Sequence, residues 1–154
     1  MVIYRKATIN DADNLAKIRS IFLLEANDVH SETEREKMET ANKIYFETAL
    51  ADDSFAAWLA LDDDKIIATS GLSFSVVPPS FRCPDGRVAY IMNMFTFPDY
   101  RKQDIGSELF KRIVEEAKNR GYKKITLNAT DMGRPLYEKY GFKDEKGDMA
   151  FYIK

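Results

Sequence analysis

An apolar strand that leads directly into a helix constrains this chain more than any other feature. Residues 88–97 read VAYIMNMFTF, an almost continuous apolar run that predicts a strand buried on both faces. A polar turn follows, and then a helix with one apolar face that ends at Gly121. The residues of that face are Ile105, Leu109, Ile113, Val114 and Ala117. Because KKITLNA next predicts another strand, the two strands must form a parallel pair at the centre of a sheet, joined by a right-handed crossover.

The first part of the chain predicts a strand followed by two helices. VIYRKA has the character of a short strand, and Asn10 or Asp11 can cap a first helix. Ser31 and Glu34 have the spacing of a capping box for a second helix, which should end near Ala51.

A hairpin and a proline-rich loop come next. SFAAWLAL and KIIATSGLSFSV flank a turn at residues 62–65, which predicts two antiparallel strands. The prolines of VVPPSFRCPDGR predict a long loop rather than a strand. After the crossover unit, GRPLYEKY predicts a short helix closed by Gly141, and FKDEKGDMAFYI predicts a closing hairpin around residues 146–148. The order β-α-α-β-β-β-α-β-α-β indicates an α/β protein with a mixed sheet.

Composition indicates one globular domain and excludes several classes of protein. The 154 residues are 45% hydrophobic and 31% charged, which suits a single folded domain over residues 1–154. A formal charge of −2 argues against a nucleic-acid-binding protein, whose surface is basic. With Cys83 as its one cysteine and His30 as its one histidine, we expect no internal disulfide and no metal site. No apolar run suggests a signal peptide or a membrane span, so we expect a soluble, cytoplasmic protein.

The turn between the apolar strand and its helix has features of a phosphate-binding site. The first N–H groups of a helix lack internal partners and lie at the positive end of its dipole. Gly106 lets a ligand approach the backbone, and Ser107 offers a hydroxyl donor. Arg101 and Lys102 add positive charge. Taken alone, however, this pattern also suits an ordinary helix entry.

Two motifs together resemble a known enzyme family. The turn fits the pattern (Gln/Arg)-x-x-Gly-x-(Gly/Ala) at Arg101, Ile105 and Gly106, and LYEKYGF at residues 136–142 fits a second motif. The order of strand, turn, helix, strand and second motif resembles the GNAT superfamily of acetyl-CoA-dependent N-acetyltransferases, over nearly the whole chain. One position departs from the family pattern. Asp104 stands where the first turn glycine falls, and we expect its side chain to cap the helix.

The resemblance implies a fold and a coenzyme site. The fold would be a mostly antiparallel mixed sheet with helices on both faces, in which a central parallel pair splays apart into a V-shaped cleft. The pantetheine arm of acetyl-CoA would pair with the strand at Phe95, Thr96 and Phe97. The pyrophosphate would lie on the turn and the start of the helix, which comprise Arg101, Lys102, Gln103, Asp104, Ile105, Gly106 and Ser107.

The resemblance also implies catalytic roles. Tyr137 matches the family's general acid, which protonates the departing CoA thiolate; the alternative is a core aromatic residue. The backbone N–H of Met94 would polarise the thioester carbonyl. Asn128 and Arg134 would hold the coenzyme or the surroundings of Tyr137, with simple loop hydrogen bonds as the alternative.

The sequence does not identify the base that takes the proton from the acceptor amine. Asn93 stands on the apolar strand where an acid could serve, and an amide cannot fill that role. Glu25 and Asp131 are unranked alternatives. Six acids between residues 25 and 39 favour a small cationic amine as the acceptor, although such a run is more often a solvated helix face.

Two other functions stay open at this point. The departure at Asp104 and the missing base also suit a module that binds acyl-CoA without chemistry. A nucleotide-dependent transferase would need a Gly-x-x-x-x-Gly-Lys-Ser/Thr or Gly-x-Gly-x-x-Gly pattern, and the sequence has neither. Homodimers are frequent in the family that the chain resembles, but no stripe of residues marks an interface.

Overall fold

A five-stranded sheet, with its strands in the order of the chain, is the centre of the fold. The computed structural model describes residues 1–25, 30–145 and 147–153. The strands are β1 (Val2–Lys6), β2 (Phe55–Asp62), β3 (Lys65–Val76), β4 (Arg87–Thr96) and β5 (Lys124–Leu127). The first four strands pair antiparallel, and β4 and β5 pair parallel.

Helices cover both faces of this sheet. They are α1 (Ala12–Glu25), α2 (Glu32–Ala51), α3 (Ile105–Asn119) and α4 (Arg134–Lys139). On one face α1 and α2 bury Leu15 and Phe46 against Phe55 and Leu59 of β2. On the other face α3 buries its apolar stripe, with Phe110 fully enclosed. The expected fold class, a mixed and mostly antiparallel sheet with helices on both faces, is confirmed.

Local sequence signals predict several element boundaries correctly. In the capping box of α2, the Glu34 N–H donates to the Ser31 hydroxyl and the Ser31 N–H donates to the Glu34 carboxylate, both at 3.2 Å. α2 ends at Ala51, and β2 and β3 are joined by the expected tight turn. Within the ranges that the structure describes, no helix is long and apolar enough to cross a membrane.

The first helix begins differently from the prediction. A short 3-10 turn over Ile9–Asp11 precedes α1, so neither Asn10 nor Asp11 is the N-cap of a helix. The Asp11 carboxylate instead accepts hydrogen bonds from the Thr8 N–H at 2.7 Å and from the Arg5 guanidinium at 2.8 and 2.9 Å. Because a carboxylate bonds more strongly to a guanidinium than to a neutral N–H, the tertiary contact with β1 decides the conformation here.

The predicted closing hairpin is absent from the described residues. Residues 142–145 and 147–153 belong to no strand, and Lys146 lies outside the described part of the chain. Met149, Phe151, Tyr152 and Ile153 are exposed. The segment MAFYI is apolar at every position, so it lacks the alternation that would assign one face to the core and fix a register. As a result β5, which we expected at the centre of the sheet, is an edge strand among the described residues.

Replacing Asp11 by asparagine should destabilise the fold. The pKa of Asp11 lies below its usual value because the carboxylate accepts hydrogen bonds from the Arg5 guanidinium and, to a smaller extent, from the Thr8 N–H. Burial acts in the opposite direction and offsets part of this decrease. We expect the variant to lose about 2 kcal/mol of unfolding free energy at pH 7, measured by urea denaturation. Because the pKa is lower in the folded state, this stabilisation is complete above the unfolded pKa of about 4 and is lost as pH falls through the folded value.

The control for this variant is Asp13→Asn, on the exposed side of α1, where the carboxylate makes only solvent-exposed ion pairs with lysines. We expect it to change the unfolding free energy by less than about 0.5 kcal/mol. An equal loss in the two variants would contradict a specific role for the pair of Arg5 and Asp11.

Candidate functional site

A cleft opens where β5 ends and β4 continues. The parallel pairing begins at Val88 with Lys124 and stops at Ile91 with Leu127. β4 then continues to Thr96, with no strand on that side in the described part of the chain. The backbone of this last stretch of β4 is therefore available to a ligand on one side.

Only alternate residues of β4 direct their backbone groups into this cleft. The Phe97 N–H donates to the Ile67 carbonyl of β3 at 3.0 Å, so Phe97 faces β3. Because an antiparallel strand alternates its hydrogen-bonding groups between its two sides, Phe95 also faces β3, whereas Thr96 and Met94 face the cleft. Of the three residues predicted to pair with pantetheine, Thr96 is the one whose N–H and C=O lie on the open side.

A bulge in β4 lies where the two parallel strands separate. The pairing of β3 with β4 shifts between Thr69 and Gly71, so that Asn93 and Met94 together oppose one residue of β3. Asn93 is buried and has a φ of 54°, which is uncommon for a residue other than glycine. Two hydrogen bonds hold it there: the Thr69 hydroxyl donates to its carbonyl at 2.7 Å, and Arg19 donates to its side-chain oxygen.

The turn before α3 has the geometry of an anion-binding loop. Lys102 and Asp104 have φ angles of 61° and 63°, and α3 begins at Ile105. Left-handed residues that alternate with ordinary ones direct successive N–H groups into one concavity, and the first N–H groups of α3 point outward beside it. A Cβ at Gly106 would meet only the Thr96 hydroxyl, at an ordinary 3.7 Å. The protein itself therefore does not require a glycine there, and its absent side chain leaves space between the turn and β4.

The expectation that the Asp104 side chain caps α3 is wrong. Asp104 occupies the N-cap position, but its backbone is left-handed and its side chain makes no capping hydrogen bond. A capping residue normally has an extended backbone, which directs its side chain at the N–H groups of the first turn. Aspartate is among the residues that tolerate the left-handed region, so it keeps the backbone shape of the glycine that the family pattern has.

Arg101 is directed away from the start of α3. Its Nε donates to the Thr96 carbonyl at 2.8 Å, and its guanidinium forms an ion pair with Glu25 at the end of α1. It also lies over the Phe95 ring, with 5.6 Å between the guanidinium carbon and the ring centroid. Lys102, which is exposed, is consequently the cation that remains at the turn. Because Glu25 is paired with Arg101, its carboxylate is less available to act as a general base.

Tyr137 is buried beside α3. Its ring lies 5.1 Å from that of Phe110, which belongs to the same helix as the anion-binding turn. A Cβ at Gly133 would come within 2.7 Å of the Tyr137 hydroxyl, so the glycine allows this close approach. Burial raises the pKa of Tyr137 above its ordinary value of 10. The phenol is therefore neutral near pH 7 and able to donate a proton.

Asn128 and Arg134 share an open cavity with Tyr137. This cavity, of about 640 Å³, lies between β5, α4 and the segment after α4. The Arg134 guanidinium forms an ion pair with Asp144 at 2.9 Å, so its charge is already engaged. Asp131, the other proposed base, is exposed in the loop after β5. The roles of Asn128 and Arg134 toward a coenzyme stay predictions.

Sequence reasoning missed Arg19. This residue follows the helical spacing of Leu15, Ile18 and Phe22 on the inner face of α1, and a cation within an apolar stripe is the signal that could have found it. Its Nη1 donates to the Asn93 side-chain oxygen at 2.5 Å, and both residues line a narrow crevice between α1 and β4 that has no room for a water molecule.

Two phenols stand near this crevice. Tyr45 of α2 and Tyr90 of β4 are 41% and 36% exposed, and both lie within electrostatic range of the Arg19 guanidinium. The prediction that this strand is buried on both faces fails at Tyr90, whereas the other residues of β4 are buried or half-buried. α1 and α2 cover the sheet incompletely at this position and leave it open to solvent.

Solved structures of acetyltransferases resemble this architecture. The chain is similar to a predicted acetyltransferase from Clostridium acetobutylicum solved with acetyl-CoA, with 34% identity, a TM-score of 0.89, and coverage of 99% of this chain and 96% of that one. It is also similar to a GCN5-related N-acetyltransferase from Ralstonia eutropha JMP134, with 27% identity, a TM-score of 0.88, and coverage of 99% of each chain.

Sequence similarity leads to the same group of proteins. The chain is 26% identical over 85 residues to the glucosamine 6-phosphate N-acetyltransferase of Trypanosoma brucei brucei, a match that covers 55% of this chain and 56% of that protein. It spans about half the length of the curated relatives that it matches. The family model described as the acetyltransferase (GNAT) family matches residues 15–142. The resemblance of the two sequence motifs is thereby confirmed, and the chain belongs to the acetyltransferase (GNAT) family.

Proposed function

We propose that this protein transfers the acetyl group of acetyl-CoA to a primary amine by direct attack in a ternary complex, without a covalent enzyme intermediate. The observation that carries the proposal is the turn before α3, where two left-handed residues and a glycine not needed by the fold adjoin the cleft along β4. Membership of the family and the neighbour solved with acetyl-CoA support the same coenzyme.

The coenzyme would bind through backbone groups more than through side chains. The N–H groups of Ile105, Gly106 and Ser107 would hold the pyrophosphate, with Lys102 as the nearby cation. The N–H and C=O of Thr96 would pair with the pantetheine arm in the cleft. Since the Thr96 carbonyl now accepts from Arg101, that side chain has to yield or share this acceptor when the arm binds.

The transfer needs an oxyanion donor and a general acid. The amine nitrogen attacks the thioester carbon, and the carbonyl oxygen gains negative charge that the Met94 N–H would stabilise. When the intermediate collapses, the C–S bond breaks and the sulfur takes the proton of the Tyr137 hydroxyl. Since burial disfavours the phenolate, Tyr137 would regain its proton readily after each turnover. Asn93, beside the oxyanion donor, has no carboxylate, and the base is not assigned.

A module that binds acyl-CoA without chemistry is the second candidate. The negative charge of Asp104 at the turn and the engagement of Glu25 by Arg101 favour it. Isothermal titration with acetyl-CoA and a thiol-release assay over a panel of amines separate the two functions. Binding together with amine-dependent release of CoA is the expected result, and binding without release for any amine would support the module.

Gly106→Ala should weaken coenzyme binding and leave the fold intact. The new Cβ has an ordinary contact in the protein but projects into the space between the turn and β4. We expect the Kd for acetyl-CoA to rise about tenfold, as for a methyl group forced into a packed contact, with no loss of thermal stability. Glu115→Ala, at an exposed position near the other end of α3, is the control, and its Kd should change less than about threefold. If the Gly106 variant binds acetyl-CoA as tightly as the wild type, the pyrophosphate does not lie at this turn.

Asp104→Gly and Asp104→Ala separate backbone strain from charge. Glycine adopts the left-handed conformation without strain and alanine does not. We therefore expect the free energy of unfolding of the glycine variant to be about 1 kcal/mol higher than that of the alanine variant. Both variants remove a negative charge from the turn, and both should bind acetyl-CoA about fivefold more tightly at low salt. Calorimetry and urea denaturation measure the two effects, and weaker binding in both variants would show that the carboxylate helps the coenzyme.

Tyr137→Phe should lower turnover without weakening coenzyme binding. Loss of the proton donor should reduce kcat about 100-fold, while the Kd for acetyl-CoA stays the same. Because burial raises the pKa of Tyr137, the acid form persists at moderate pH, and the wild-type rate should show no alkaline fall from this group below about pH 10. The matched control is Tyr140→Phe, since Tyr140 also packs on Phe110 but is 44% exposed. If the Tyr137 variant is as active as the wild type, Tyr137 is not the general acid.

A further inference from the structure

Arg19 carries a positive charge that its structural role, one hydrogen bond to the neutral Asn93 side chain, does not require. It is half-buried on the inner face of α1, and burial lowers its pKa. Its neighbours along that face are Leu15, Ile18 and Phe22, which pack in the core or against it. An arginine at such a position loses hydration, and this cost has to be offset by a partner.

The hydrogen-bond partner that the structure gives Arg19 is a neutral one. The Asn93 side-chain oxygen accepts its hydrogen bond, and no carboxylate pairs with it in the described part of the chain. Two other partly buried arginines have carboxylate partners: Arg112 pairs with Glu108, and Arg120 pairs with Asp53 and Glu116. Arg87 is also partly buried and donates to the Arg120 carbonyl, but it lies on the surface of the Tyr122 ring rather than among core residues. A desolvated guanidinium without a counter-ion has the properties of an anion site.

The position of Arg19 relative to the bulge indicates what kind of anion would bind. Asn93, which it contacts, directly precedes Met94, whose N–H faces the cleft of β4. The partly exposed Tyr45 and Tyr90 near the guanidinium could add hydroxyl donors to the same anion. Because the crevice at Asn93 has no room for a ligand, an anion would reach Arg19 from the exposed side of Tyr45 and Tyr90. There it would lie one side chain away from the backbone where the acetyl group would react.

We propose that Arg19 binds an anionic group of the acceptor, so that the acceptor is a small amine with a carboxylate or a phosphate a few bonds from its nitrogen. This inference rests on the proposed acetyl transfer and names its substrate class. It differs from the cationic acceptor that the acid-rich segment suggests. Of the acids of that segment on α2, Glu32, Glu34 and Glu36 are exposed to solvent and Glu39 is partly buried.

Matched pairs of amines test the charge of the acceptor. Wild-type enzyme with saturating acetyl-CoA is assayed for CoA release with L-alanine against L-alaninamide and with glucosamine 6-phosphate against glucosamine. The anionic member of at least one pair should have a kcat/KM at least about tenfold higher, because a site built for an anion leaves its cation unpaired with the neutral analogue. The pair that shows the preference distinguishes a carboxylate from a phosphate. Equal or better use of both neutral members would overturn the inference while acetyl transfer stands.

Variants of Arg19 test whether this residue recognises the anionic group of the acceptor. In Arg19→Gln the preference should fall to less than about threefold, because the KM for the anionic amine rises much more than the KM for the neutral amine. Arg19→Lys, which keeps the charge, should retain part of the preference. Arg112→Gln is the matched control, because it removes a half-buried guanidinium from α3, and it should leave the preference intact. An equal loss for anionic and neutral amines in Arg19→Gln would show that Arg19 only holds Asn93 and would overturn the inference.

A binding measurement keeps this test independent of turnover. The CoA-saturated protein is titrated calorimetrically with the same amines, after circular dichroism has shown that each variant is folded. Binding of an anionic amine to the wild type, at least about tenfold weaker in Arg19→Gln, supports the site even if none of these amines is acetylated. If acetyl-CoA binds but no anionic amine does, the inference about Arg19 is overturned and the proposed function stands. If acetyl-CoA itself does not bind, the proposed function is overturned.

Discussion

The early end of β5 is the constraint on which the site depends. Parallel pairing satisfies the backbone of β4 only as far as Ile91, and β4 continues beside an open cleft. Buried backbone groups are rarely left without partners, so a stretch of this kind needs a substitute for the missing strand. The Arg101 side chain supplies one at the Thr96 carbonyl. The pantetheine arm, which carries amide groups, is a second substitute of the same chemistry, and the two would compete for one acceptor.

The helix that follows β4 links the two ends of the proposed coenzyme site. Its apolar stripe, which includes Ile105, Leu109 and Phe110, is buried against the sheet, so the start of α3 is held firmly. Phe110 on the same helix supports the ring of Tyr137, with 5.1 Å between the ring centroids. Because the ring of Tyr137 packs on the helix that begins at the anion-binding turn, this contact ties the position of the phenol to that of the turn.

Much of this architecture could be predicted from the sequence, because its signals are local. The run of apolar residues in β4, the spacing in α3 and the capping box at Ser31 each depend on neighbours within a few positions. The motif at Arg101 and the second motif around Tyr137 identified the family for the same reason.

The features that the sequence did not reveal depend on contacts between distant residues. Arg101 turns to Glu25, 76 positions earlier, and Arg19 reaches Asn93, 74 positions later. The bulge at Asn93 depends on the Thr69 hydroxyl of a neighbouring strand. A single polar residue in an apolar strand is a weak sign of such a bulge, and no local pattern fixes its partners.

The bulge also explains how one strand could serve both substrates. In a regular strand, side chains alternate between the faces, and each residue directs its backbone groups to the side opposite to those of its neighbours. The extra residue in β4 breaks this alternation, so that the Asn93 side chain meets Arg19 of α1 while the Met94 N–H is directed into the cleft. Recognition of the acceptor and stabilisation of the oxyanion would then lie on consecutive residues. Removing the bulge would consequently impair both, even though neither side chain belongs to the coenzyme turn.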